Sequence, residues 1–108
     1  MKMIRAIIRP EQEVRVLEQL EAVGLYAVTK YPVLGRGRQR GIQVGAVSYD
    51  TLSKIMLMMA VSEQDYAKAV QAIQRGASTG HPGDGRIFVQ DISQSYTIRA
   101  GARPEVSE

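Results

Sequence analysis

The chain has 108 residues, enough for one domain that buries roughly two-thirds of the surface its unfolded form exposes. It contains no cysteine, which excludes disulfides, thiolate metal sites and thiol catalysis, and its one histidine cannot build a zinc site alone. The net charge is +3, and no stretch approaches the ~20 apolar residues of a membrane span. Because Arg5 and Arg9 interrupt the apolar run at the start, we expect no signal peptide and a cytoplasmic protein.

The first 24 residues predict a strand followed by a helix. KMIRAIIR (2–9) alternates as a strand with one buried face does. That face comprises Ile4, Ala6 and Ile8. Pro10 ends the strand and suits the first turn of a helix over 11–24, with Gly24 as its C-cap. The apolar face expected for this helix comprises Val14, Leu17, Leu20 and Val23.

Residues 26–51 predict an edge strand and then a long loop. YAVTKYPVL (26–34) is rich in β-forming residues, and Pro32 favours a sheet edge or a bulge. Residues 35–51 show no sustained period and are rich in Gly, Arg, Gln and Ser. A loop of this length in a compact domain is usually functional or disordered.

The second half of the chain predicts another strand, helix and strand. KIMLMMAV (54–61) is typical of a strand that is apolar on both faces, and Ser62 caps the next helix with Asp65 at capping-box spacing. One face of that helix comprises Tyr66, Ala69, Val70, Ile73 and Ala77. RIFVQDI (86–92) predicts a strand, and SYTIRAG (95–101) predicts a short extended run.

This order predicts an α+β domain, a ferredoxin-like βαββαβ sandwich with both helices on one face of the sheet. The strand over 54–61 then offers apolar side chains to the uncovered face as well. A monomer would expose them as a large apolar patch, which soluble monomers avoid. We therefore expect a homo-oligomer; the alternative is that the long loop folds back over this face.

Two glycine-rich segments suggest a site for an anion. GRGRQRG (35–41) carries three arginines and no acid, which suits either an anionic partner or a solvated loop. In TGHPGDGRIFV (79–89) the glycines permit positive φ, so successive N–H groups can converge on an anion. Arg86 adds charge, and we expect the Asp84 carboxylate to fix the turn by accepting backbone N–H bonds. The segment fits neither a P-loop nor a dinucleotide-binding motif, and a plain turn is the alternative.

No residue pattern indicates catalysis. His81 lies between Gly80 and Pro82 with no acid or serine arranged around it, which is typical of a surface turn. We therefore predict a binding protein that is not an enzyme. The rival interpretations are a slow ATPase and a small nucleic-acid binder that uses the arginine-rich loop, although aromatic residues for base stacking are few.

Taken together, AIIRP, GRGRQRG, TGHPGDGRIFV and YTIRAG resemble the matching blocks of the PII signal-transduction proteins, in order and spacing across essentially the whole chain. The resemblance implies a homotrimer of ferredoxin-like subunits that bind ATP or ADP, with Mg²⁺, in clefts between neighbours. It also implies a 2-oxoglutarate site at the base of a long T-loop, here about 36–53. The phosphate loop would be about 79–86, and a flexible C-terminal tail about 102–108.

Carried over by position, the resemblance implies two overlapping sets of ligand residues. Residues 83–86 would surround the nucleotide phosphates, Lys54 would pair with a carboxylate of 2-oxoglutarate, and Gln39 would be the side-chain ligand of Mg²⁺. The ATP/ADP set comprises Ile7, Thr29, Gly35, Gly37, Arg38, Gln39, Ala60, Gly83, Asp84, Gly85, Arg86 and Arg99. The 2-oxoglutarate set comprises Gln39, Gly41, Lys54 and Gly83.

The chain departs from the usual family pattern at several points. Thr97 stands where a second arginine usually reaches the phosphates, and Arg86 stands where most relatives have lysine. The T-loop is about four residues shorter than usual. The segments GRGRQRGIQVG, SYD, KIMLMM and YTIR resemble the branch associated with nitrogenase genes, which implies nitrogenase as the target and often a second PII-type subunit. The alternatives are regulation of a transporter or of another enzyme of nitrogen metabolism.

Overall fold

A computed structural model of the chain describes residues 1–36, 42–44, 47–49 and 51–99, and for 42–44 and 47–49 the backbone alone. A short 3-10 helix (Pro10–Gln12) precedes the first of two α-helices. The helices are α1 (Glu13–Ala22) and α2 (Tyr66–Ala77). The strands are β1 (Lys2–Ile8), β2 (Thr29–Gly35), β3 (Ile42–Val44), β4 (Val47–Tyr49), β5 (Leu52–Val61) and β6 (Gly85–Asp91).

Four strands form one antiparallel sheet in the order β2-β5-β1-β6. This topology confirms the ferredoxin-like prediction, since each βαβ unit places its two strands around a strand of the other unit. The strand predicted around Pro32 does lie at an edge of the sheet, although it begins at Thr29.

The long loop contains more regular structure than its sequence predicts. Strands β3 and β4 pair as a small antiparallel hairpin, with Ile42 opposite Tyr49 and Val44 opposite Val47. Strand β5 begins at Leu52, two positions before the predicted start. The prediction of an irregular segment over 35–51 was wrong for these residues because strands of three residues are too short to show a period of two.

The core lies between the sheet and the helices. From β1 and β5 it takes alternate residues, as predicted for β1. From α2 it takes Ala69, Ala72, Ile73 and Ala77, which confirms most of the predicted face, and Tyr66 and Val70 pack at its margin. The fully buried large side chains are Ile4, Ile8, Val16, Leu20, Leu57 and Ile73.

The predicted face of α1 was partly wrong. Val14 is 66% exposed, whereas Val16 and Leu20 are completely buried. A spacing of three falls about 60° short of a full turn at each step, so a stripe drawn through 14, 17, 20 and 23 winds around the helix. The buried pair is four apart, as a helix with 3.6 residues per turn requires.

The end of α1 and the start of α2 follow the signals in the sequence. Gly24 has φ +82° and donates its N–H to the carbonyl of Glu21 at 2.9 Å, which confirms it as the residue that closes α1. Ser62 Oγ accepts the N–H of Asp65 at 3.2 Å, half of the predicted capping box. None of the helices in the described parts of the chain is long and apolar enough to cross a membrane.

No helix in the described parts of the chain packs on the second face of the sheet. On this face Met58 lies opposite both Arg5 and Thr29, and Tyr31 and Phe88 are 41% and 47% exposed. The apolar side chains of residues 54–61 predicted such an uncovered face, and the prediction of a homo-oligomer rests on it. After β6 the described part of the predicted extended run, residues 95–99, has a bridge at Tyr96 and a turn at 98–99, so the prediction was wrong at the turn.

Candidate functional site

The loop of residues 79–86 joins the end of α2 to the start of β6 through three glycines with positive φ. These values are +83° at Gly80, +96° at Gly83 and +114° at Gly85. At Gly85 the backbone also lies against β1, where a Cβ atom would come 1.8 Å from the carbonyl oxygen of Ile7. Any other residue at position 85 would collide with a backbone atom, so the glycine here is a steric requirement of the sharp entry into β6.

The carboxylate of Asp84 organises this loop from inside. Its Oδ2 accepts the backbone N–H groups of Thr79 at 2.7 Å and Gly80 at 3.0 Å. Its Oδ1 accepts the Thr79 hydroxyl and the Nε–H of Arg9, the latter at 3.1 Å. The hydroxyl and N–H of Thr79, with Arg9 and Gly80, hold the pKa of Asp84 far below its usual range. The prediction that Asp84 fixes the turn is thereby confirmed.

Two cationic side chains from other strands hold the next carbonyls of the loop. Arg9, directly after β1, donates from Nη2 to the carbonyl oxygen of Pro82 at 2.7 Å. Lys54, near the start of β5, donates from Nζ to the carbonyl oxygen of Gly83 at 2.8 Å. Arg86 is the last residue of the loop and is exposed. Three cations therefore surround a loop whose own carboxylate is neutralised by one of them, which favours an anionic ligand at this end of the sheet.

The base of the long loop meets the same end of the sheet. Gly35 pairs with Leu52, and a Cβ atom at Gly35 would come 3.3 Å from Cγ of Lys54. Ile7 on β1 pairs with Arg86 on one side and with Met56 on the other. The structure thus brings together Ile7, Gly35, Lys54 and residues 83–86 of the predicted ligand sets.

Other predicted ligand residues lie elsewhere in the subunit. Ala60 pairs with Met3. Met3 is four positions from Ile7 along β1, a distance of about 13 Å. Ala60 borders a separate cavity of about 360 Å³ beside the connection between α1 and β2. Thr29 pairs with Met58, and Arg99 is exposed in the turn after β6. Four more predicted ligand residues lie outside the described residues, namely Gly37, Arg38, Gln39 and Gly41. Gln39 is also the expected side-chain ligand of Mg²⁺.

A cleft of about 520 Å³ opens between α2 and the start of β6, and the loop forms its rim. Its wall is apolar where Ile73, Ala77 and Ile87 line it, and polar where Asp84 and Arg86 do. His81 is exposed, as predicted for a turn residue.

Sequence reasoning missed Arg9, which holds the loop from 75 residues away in the chain. The signal that could have singled it out is a basic residue placed directly between a buried strand and a helix-starting proline.

Comparison with known proteins decides the family. The family model described as nitrogen regulatory protein P-II matches residues 1–102. The chain belongs to the PII family. This confirms the resemblance drawn from the sequence motifs, and the geometry above is therefore that of a PII subunit.

Several relatives of this PII protein carry names from nitrogen fixation. The nifHD1 region GlnB-like protein 1 of Methanosarcina barkeri is 50% identical over 101 residues, which cover 94% of this chain and 96% of the relative. The nifHD region GlnB-like protein 1 of Methanothermococcus thermolithotrophicus is 46% identical over 101 residues, with the same shares. The nitrogen regulatory protein P-II 1 of Methanothermobacter thermautotrophicus is 40% identical over 105 residues, which cover 94% of this chain and 91% of the relative.

Members of the PII family are signalling regulators. PII proteins form homotrimers and bind ATP or ADP and 2-oxoglutarate as effectors. The relatives named for nifHD regions fit the nitrogenase-associated branch that the motifs indicate.

Proposed function

We propose that this PII protein senses ATP or ADP together with 2-oxoglutarate and controls nitrogenase by contact through its T-loop. The observation that carries this proposal is the meeting of three features at one end of the sheet. They are the glycine loop over 79–86, the cations Lys54 and Arg86, and Gly35 at the base of the T-loop. A ligand bound among them can influence the loop that begins at Gly35.

The nucleotide phosphates bind at residues 83–86. The loop is already fixed in the free subunit, because both carboxylate oxygens of Asp84 accept hydrogen bonds, from Thr79, Gly80 and Arg9. Little ordering therefore remains to be done when phosphate arrives. Arg86 is exposed and supplies a guanidinium fork, which binds phosphate with two parallel donors where lysine supplies a point charge.

The neighbouring subunits of a homotrimer complete the site. Thr29, Ala60 and Arg99 belong to the expected nucleotide set, and Thr29 and Ala60 lie away from the phosphate end of their own subunit. The uncovered apolar face around Met58 and Phe88 is the surface that packs between subunits. In such an assembly, Arg99→Ala weakens ATP binding more than it weakens assembly, and equal affinity for ATP would remove Arg99 from the site.

2-Oxoglutarate binds where Lys54 meets the phosphate loop. In the described structure the Lys54 ammonium donates to the Gly83 carbonyl, and its stem lies against Gly35. A carboxylate at this position draws on the same ammonium and thereby affects both loops. A coupling of about 1–3 kcal/mol between ligand and T-loop conformation is typical of such switches.

The names of the relatives are the support for the proposed target. Several are named for nifHD regions, which supports nitrogenase as the target and leaves room for a second PII-type subunit in the complex. The 40% identical relative named P-II 1 supports the second candidate, a regulator of a transporter or of another enzyme of nitrogen metabolism. Either function places the protein in the cytoplasm.

Calorimetric titration with Mg-ATP, with and without 2-oxoglutarate, tests the sensor. We expect ATP binding alone and 2-oxoglutarate binding only when ATP is present. No ATP binding, or no 2-oxoglutarate binding beside ATP, would contradict the proposal. Steady phosphate release above a protein-free control would favour the ATPase, and salt-dependent oligonucleotide binding would favour the nucleic-acid module.

Co-purification with nitrogenase in the presence and absence of 2-oxoglutarate tests the target. We expect capture of nitrogenase that changes when 2-oxoglutarate is added. The same amount of nitrogenase captured by beads without the protein would exclude this target and favour the second candidate.

A further inference from the structure

The side chain of Arg9 binds the phosphate loop of residues 79–86 through two hydrogen bonds. Its Nε–H donates to Asp84 Oδ1 at 3.1 Å, and its Nη2–H donates to the Pro82 carbonyl at 2.7 Å. These acceptors lie two residues apart in the loop. A planar guanidinium can reach both at once with its fixed donors, whereas an ammonium has no such fork.

The guanidinium also lies close to the glycine between these two residues. A Cβ atom at Gly83 would come 3.2 Å from Nη2 of Arg9. Arg9 therefore touches three successive residues of the loop, and its side chain is 26% exposed. Arg9 also acts on Thr79 and Gly80 indirectly, because the Asp84 carboxylate that it binds accepts their N–H groups.

The ion pair between Arg9 and Asp84 also changes the charge that a bound anion meets at this loop. Without a cation beside it, the ionised Asp84 would repel a phosphate bound at residues 83–86. Arg9 cancels this charge at 3.1 Å while Arg86, the exposed cation of the loop, stays available.

We infer that Arg9 is the positioning residue of the phosphate loop, which fixes residues 82–84 and neutralises Asp84 so that the loop can accept an anion. The inference rests on the proposed function, in which this loop binds the nucleotide phosphates. Arg9 acts here through the loop, and the assignment requires no contact of its own with the nucleotide.

Three variants separate the fork from the charge. Arg9→Gln removes both, Arg9→Lys keeps the charge without the fork, and Arg9→Gln combined with Asp84→Asn restores the charge balance without the fork. We expect the dissociation constant for Mg-ATP to rise about tenfold in Arg9→Gln and about threefold in Arg9→Lys. The double variant should bind Mg-ATP about as weakly as Arg9→Gln, because both residues act in one unit. Arg15→Gln, an exposed arginine on α1, is the matched control.

A measurement without nucleotide tests the positioning role directly. In ¹⁵N-labelled protein the amide resonances of Thr79 and Gly80 report their bonds to Asp84. We expect both to shift in Arg9→Gln and Arg9→Lys and to stay in place in Arg15→Gln.

The outcomes distinguish the inference from the proposed function. If the wild type binds Mg-ATP but Arg9→Lys matches it within twofold and both amides stay in place, the positioning role is overturned. Recovery of wild-type affinity in the double variant would overturn it too, because charge alone would then be sufficient. If the wild type fails to bind Mg-ATP, the proposed function fails and the amide shifts alone decide the role of Arg9. If Arg9→Gln does not fold, Arg9→Lys carries the same comparison.

Discussion

The carbonyl oxygen of Ile7 occupies the space that a side chain at position 85 would need. A Cβ atom at Gly85 would lie 1.8 Å from that oxygen, and Gly85 also has φ +114°. The close approach lets β6 pair with β1 from its first residue, directly after the phosphate loop. The loop and the sheet are therefore joined at a point where only glycine fits.

Gly85→Ala should be strongly destabilising. The substitution adds backbone strain and a collision with a backbone atom that cannot move without breaking the β1–β6 pairing. We expect a loss of at least about 3 kcal/mol in the free energy of unfolding. Urea denaturation, with all proteins at one concentration because an oligomer's stability depends on it, provides the measurement.

Gly24→Ala is the matched control for this loss. Gly24 also has positive φ, +82°, but no neighbouring atom lies within 4 Å of a Cβ placed there. It should cost about 1 kcal/mol, the strain alone. Similar losses of unfolding free energy at the two positions would show that the collision with Ile7 does not contribute to the destabilisation.

Acid should weaken the phosphate loop through Asp84. Its pKa is lowered in the folded chain, so its ionised form stabilises the fold above the unfolded pKa of about 4, and this contribution is lost as the pH falls further. The stability difference between the wild type and Asp84→Asn should therefore be largest near pH 7 and should shrink below about pH 4. Urea midpoints at pH 7 and pH 3.5 measure it.

Glu18→Gln, an exposed carboxylate on α1, provides the control for the pH experiment. Its difference from the wild type should be small at both pH values. An Asp84→Asn difference that stays constant with pH would mean that the carboxylate charge is not what holds Thr79 and Gly80.

Lys54→Gln should separate the two effectors. The lysine is bonded to the Gly83 carbonyl and is the cation expected to pair with 2-oxoglutarate. Glutamine keeps much of the stem and a donor but removes the charge. We expect 2-oxoglutarate binding in the presence of Mg-ATP to weaken by at least about tenfold, and Mg-ATP binding by less than about threefold. Calorimetry measures both, with Lys68→Gln on the exposed surface of α2 as control. Equal losses for both ligands would place Lys54 in the nucleotide site instead.

Phe88→Glu should disrupt the homotrimer. Phe88 is 47% exposed on the uncovered face of the sheet, opposite Arg5, and a carboxylate there would be buried between subunits. Val14→Glu is the control, because Val14 is 66% exposed but lies on α1, on the other side of the sheet. Native mass spectrometry should show a trimer for the wild type and for Val14→Glu, and smaller species for Phe88→Glu. An intact Phe88→Glu trimer would exclude this face as the interface.

Regular periods made most of the fold predictable. Alternation over 2–9 predicted which side of β1 is buried, and the caps at Gly24 and Ser62 follow local rules that involve a few neighbouring residues. The errors have the same local origin. Val14 was misplaced because a spacing of three imitates a helical period over a short stretch, and β3 and β4 are too short to show one.

The candidate site was predictable where one segment contains all the parts. Asp84 could be assigned to the turn from its place among glycines, since its main partners Thr79 and Gly80 lie within five residues. The grip of Arg9 could not, because nothing in the sequence pairs a residue at the end of one strand with a loop 75 positions later.

The sequence alone was sufficient to predict the two helices, the four strands of the main sheet, the two-layer arrangement, the family motifs and the role of Asp84 in its turn. These depend on periodicity, on glycine's access to positive φ and on short-range hydrogen bonds, all of which are local properties. Only the tertiary structure decided that Arg9 and Lys54 converge on Pro82 and Gly83, and that Ile7 leaves no room for a side chain at Gly85. Those contacts depend on the strand order β2-β5-β1-β6, which brings β1, β5 and β6 side by side although they are far apart in the chain.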